Sequence, residues 1–114
     1  MVLPMTGNEQ KGEAMRYLCQ YTWQAGTTAA AVGQRFLELH QRNGGQPPGL
    51  TFESWDELVG GGAGAIIVSA DDPRRLNEAL VPWMDLVSWD VRPVIASSYE
   101  EILQRMQERQ PSQP

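Results

Sequence analysis

Four glycines fall within the five residues Gly60-Gly61-Gly62-Ala63-Gly64, and this cluster constrains the chain more than any other stretch. On one side, Leu50 to Val59 alternates apolar Leu50, Phe52 and Leu58 with polar neighbours, the period of a strand with one face buried. On the other, Ala65-Ile66-Ile67-Val68-Ser69-Ala70 is a short β-branched run that suits a more deeply buried strand. Glycine adopts the positive φ angles that a tight reversal between strands demands, and few other residues do so without strain. The segment therefore reads as a hairpin that sets the register of a sheet. A phosphate-cradling loop can be equally glycine-rich, but it leads from a strand into a helix N-terminus, and here a strand follows.

Further elements flank the hairpin. From Met15 to Trp23, Tyr17, Cys19, Tyr21 and Trp23 alternate with Arg16, Leu18, Gln20 and Thr22, the period of a first strand. Thr27 or Thr28 can cap a helix with Ala29, Val32, Phe36 and Leu39 or His40 on one stripe, expected to pack on the sheet and to end at Asn43-Gly44-Gly45. Asp72-Pro73 reads as an N-cap with proline at the first helical position. Leu76, Ala79, Leu80 and Trp83 give that second helix its apolar stripe, and Pro82 ends or kinks it. A fourth strand spans about Leu86 to Ile95, with Val87, Trp89 and Val91 on one face and Pro93 marking a bulge or an edge. Ser98 and Glu101 form a capping box for a short third helix carrying Tyr99, Ile102, Leu103 and Met106. Residues 1–14 read as a flexible leader, 15–96 as one folded domain, 97–109 as the C-terminal helix and 110–114 as a disordered tail.

A chain of 114 residues supports one core. The net charge is −5 and the arginines are scattered without a basic stripe, which argues against a nucleic-acid partner. No apolar run is long enough to cross a bilayer, and the first residues lack a secretory h-region. With Cys19 as its single cysteine the chain forms no internal disulfide, which fits a reducing cytoplasmic location.

The order βαββαβ is the α+β, ferredoxin-like pattern: a four-stranded antiparallel sheet with both helices on one face. The other face is left uncovered, and the strands read as apolar on both sides, with Leu18 opposing Tyr17, Trp55 opposing Phe52 and Ile67 opposing Ile66. Such a patch marks an interface or a ligand site, so a homodimer packed sheet against sheet, with room for a cavity, is expected. Trp23, Trp55-Asp56, Gly60 to Gly64, Asp71-Asp72, Trp83-Met84-Asp85-Leu86 and Val91-Arg92-Pro93-Val94 together resemble the family called domain of unknown function 3303. The resemblance covers about residues 15 to 96. It implies a dimeric α/β barrel, a superfamily of cofactor-independent monooxygenases, haem-degrading enzymes, isomerases and non-catalytic ligand-binding dimers; it transfers no activity.

Among chemistry-bearing residues, Tyr21, Trp23, Trp55 and Trp89 all fall on strands. They either line a pocket for a flat organic molecule or form core and dimer interface. Glu53, with Asp56 and Glu57, could supply a general base if burial raised its pKa. Glu53 and Glu57 read as sharing a strand face and, near the hairpin rim, as solvated. His40 is the only histidine, which excludes a histidine-cluster metal site. Near the end of its helix it reads as a dipole-stabilised group, with a haem ligand as the alternative. Asp71-Asp72 reads as a cap rather than a cation site. The candidate cavity or interface residues are thus Tyr21, Trp23, Glu53, Trp55 and Trp89, with no catalytic constellation, metal or cofactor assigned. Two functions follow. One is a non-catalytic homodimer that binds a small organic ligand or a protein partner; the other is a cofactor-independent monooxygenase or isomerase acting on a small aromatic substrate, with Glu53 or His40 moving protons.

Overall fold

Three capping signals start the three helices of the computed structural model, which describes residues 14–110. Helix α1 (Ala29–Asn43) begins after Thr28, whose side chain accepts from the Ala31 N–H at 3.1 Å. It closes at Gly44, φ 69°, where the Gly44 and Gly45 N–H groups reach back to the carbonyls of Gln41 and His40. Helix α2 (Pro73–Leu80) begins after Asp72, which accepts from the Arg74 N–H at 2.9 Å. Pro82 offers no backbone donor, so the chain tightens into a 3-10 turn, Val81–Trp83. Helix α3 (Tyr99–Arg109) carries the reciprocal box: the Glu101 N–H donates to Ser98 Oγ at 3.1 Å, and the Ser98 N–H to the Glu101 carboxylate at 2.8 Å.

The strands are β1 (Met15–Trp23), β2 (Leu50–Glu57), β3 (Ala63–Ala70) and β4 (Val87–Val94), in sheet order β2-β3-β1-β4 with all neighbours antiparallel. The architecture is therefore α+β, a four-stranded antiparallel sheet with three helices. β1 and β2 run in the same direction with β3 between them; β3 and β4 do likewise around β1. The β2–β3 turn bends through Gly60, Gly61 and Gly62, all at positive φ. Pro93 sits on β4, an edge strand, where its missing N–H costs no ladder bond.

One feature of β2 overturns an expected parity. Phe52 pairs with Val68 and Ser54 with Ile67, so Glu53 is an extra, bulged residue. Trp55 then pairs with Ile66 and shares a face with Phe52, against which it stacks at 5.8 Å. The expected opposition of these two rings is wrong, and so is the shared face of Glu53 and Glu57. Glu53 binds Arg16 and Ser69 on the helix-free face, whereas Glu57 pairs with Gly64 on the helix side.

The sheet is consequently less apolar on its open face than expected. Leu18, Ala65 and Ile67 lie there among Arg16, Gln20, Glu53, Ser54, Asp56, Ser69, Asp90 and Arg92. The large rings all face the helices. The core is Cys19, Leu50, Ile66, Val68 and Ala70 from the sheet, closed by Leu76 of α2, which is 4% exposed. By contrast, no residue of α1 or α3 is buried. The proposed leader and tail lie, apart from Ala14 and Gln110, outside the described residues.

Candidate functional site

Because α1 stands over the sheet without sealing against it, a trough of about 810 Å³ lies between them. Its roof is the inner stripe of α1, Val32, Phe36, Leu39 and His40, which the sequence spacing picks out with Ala29, together with Gly33, which it does not. The floor is Cys19, Tyr21, Trp23, Phe52, Trp55, Ile66, Val68 and Trp89, and α2 forms a wall with Leu76, Ala79 and Leu80. The sheet's alternation explains the floor: odd-numbered residues of β1 pair with Val68, Ile66 and Gly64, which point the same way.

The rings form one connected wall. Tyr21 meets Trp89 edge-on at 5.7 Å and Trp55 at 6.4 Å, and Phe36 reaches down from α1 to Trp55 at 6.3 Å. Trp55 Nε1 donates to the Tyr21 hydroxyl at 3.1 Å, and Trp89 Nε1 to the Leu80 carbonyl at 3.2 Å, so two of the indoles are fixed in orientation. Tyr21 lies flat along the sheet only because residue 64 is glycine. A Cβ there would come within 2.6 Å of Tyr21 Cζ and 2.7 Å of the Asp56 carbonyl. Sequence reasoning assigned Gly64 to the turn; its role is to admit this ring.

Polar groups are few and lie towards the ends: His40, Arg42 and Asn43 on α1, Gln46 in the following loop, and Glu57 and Glu78 on β2 and α2. α1 is tied down along its N-terminal half. The Arg35 guanidinium donates twice to the Asp85 carboxylate, at 2.7 and 2.9 Å, and also to the Pro82 carbonyl. These bonds hold the Asp85 carboxyl below the usual carboxylate range. Thr27 and Gln24 bind the carbonyls of Leu86, Met84 and Val87 nearby. Burial pushes the Cys19 thiol in the floor up to about 11, so it is an inert thiol at neutral pH.

The structure thus brings four of the five candidate residues, Tyr21, Trp23, Trp55 and Trp89, to one cavity, together with Phe36 and His40. Glu53 is not among them. It lies on the other face of the sheet, so Glu53 and His40 cannot attend the same bound molecule. The cavity also opens on the helix side rather than on the open sheet face where it was expected. Among the described residues no three His, Cys, Asp or Glu side chains cluster to hold a metal, and no helix is long and apolar enough to cross a membrane.

Comparison with known families places this arrangement. Residues 15–110 match the family described as domain of unknown function (DUF3303). The chain belongs to this family. The DUF3303 match reaches beyond β4 to include α3, which the sequence resemblance, ending near residue 96, had left outside. No curated protein and no solved structure matches the chain.

Proposed function

We propose that this DUF3303 protein binds a small, flat, largely apolar organic molecule in the trough beneath α1, without catalysing its conversion. The observation that carries this reading is the connected wall Phe36–Trp55–Tyr21–Trp89 around about 810 Å³ of space, within the usual range for small-molecule sites. Apolar surface dominates the lining, and the trough holds no nucleophile beside a base. The interleaving of the two βαβ units supports a ferredoxin-like assignment. We further read the protein as a cytoplasmic homodimer, a state in keeping with its reduced, buried Cys19 and the uncovered apolar stripe of α3.

Titration with 2-naphthol, followed by quenching of tryptophan emission, tests the binding reading. Saturable quenching is expected, weakened about fivefold by Trp55→Ala, since a lost aromatic stacking partner is worth of the order of 1 kcal/mol. Emission that stays linear in probe up to its solubility limit removes the trough as a binding site.

A further inference from the structure

Helix α3 is an element without a partner. Its stripe of Tyr99, Ile102, Leu103 and Met106 is exposed, Tyr99 at 77%, although the capping box shows the segment is built to be helical. A helix of 11 residues is marginal alone in water, so such a stripe needs a surface to cover. We propose that α3 docks into the mouth of the trough of a second copy of this chain, reciprocally, so that each site is completed by its partner's helix.

Length and charge both fit. The roof stripe from Val32 to Asn43 runs about 18 Å and α3 about 16 Å, at 1.5 Å per residue. On a helical wheel the α3 stripe has Glu100 along one edge and Arg105 and Arg109 along the other. The trough likewise carries Arg42 on its α1 side and Glu57 and Glu78 on facing elements, Glu78 being shared with Arg75 at 3.6 Å. Acid then meets base on each side of an apolar seam.

The same-chain alternative is restrained by connection length. β4 ends at Val94, opposite Arg16, and only the four residues Ile95 to Ser98 precede α3. They span at most about 14 Å. β4 borders the trough only through Val87 and Trp89 near its start, whereas α3 follows its far end, and β4 and β2 are opposite edges of the sheet. A second copy is under no such restraint.

The test uses the full chain carrying Phe36→Cys and Leu103→Cys together, treated with a short bis-maleimide; Cys19 is fully buried and stays silent. A covalent dimer that forms in the double variant and in neither single variant is the expected result. A bridged product of monomer mass, or no bridge, overturns the proposal. Leu103→Glu, examined by light scattering with circular dichroism as the folding control, should raise the dimer dissociation constant about tenfold or more; an unchanged constant also overturns it. Neither experiment needs a ligand, so failure here is separable from failure of the 2-naphthol titration.

Discussion

Leu76 of α2 is driven into the sheet among Ile66, Val68 and Ala70, whereas α1, nearly twice as long, buries nothing over the same sheet. α2 is held by burial and α1 by polar ties in and just before its N-terminal half, Arg35 to Asp85 and Thr27 to Leu86. The difference separates two tasks. α2 closes the core that makes the fold stable, and α1 keeps the rings accessible by leaving space that a core would fill.

The sharpest break of this comparison is a pair of truncations. Leu76→Ala should cost about 2–5 kcal/mol in urea unfolding, since it opens a cavity in packed core. Leu39→Ala in α1 should cost about 1 kcal/mol or less, because its side chain already borders space. Equal costs would show that α1 seals the sheet after all. Next in size, Gly64→Ala should cost about 1–3 kcal/mol by forcing its Cβ against Tyr21 and the fixed Asp56 carbonyl. Its signature is a shift in tryptophan emission as the Trp55 bond to Tyr21 is lost; stability and emission both unchanged would mean the ring wall is loose.

Ser98→Ala should remove about 1 kcal/mol of helix stability from α3 alone, read as lost amide protection between Glu101 and Arg109 with no change in α2. The smallest effect concerns acid. Asp85 has a native pKa below its ordinary value, so its tie to Arg35 contributes fully above the ordinary carboxylate range. That contribution fades as pH falls through the lowered value. Amide exchange in α1, taken relative to its intrinsic rate, should therefore quicken on acidification, and Asp85→Asn should remove that dependence.

The local signals were legible because a cap is written within four residues: Thr28, Asp72-Pro73 and the Ser98–Glu101 box each start a helix. β1 was legible too, since its alternation is unbroken. β2 was not, because a bulge is a pairing event between strands and leaves no mark in a period of two. That one residue misassigned Trp55 relative to Phe52 and grouped Glu53 with Glu57. The site was half legible. Four aromatic residues were picked out by their place on strands, but the space beneath α1 depends on how closely a helix approaches a sheet, which no single segment encodes.

The bulge at Glu53 makes one residue of β2 dispensable to the pairing of its neighbours. Phe52, Ser54 and Trp55 pair with Val68, Ile67 and Ile66 in unbroken succession, as if Glu53 were not there. Loss of that one codon would leave every ring at its post and strip Arg16 and Ser69 of a shared carboxylate. Deleting residue 53 should thus edit the charge of one surface of the sheet while the other stays as it is.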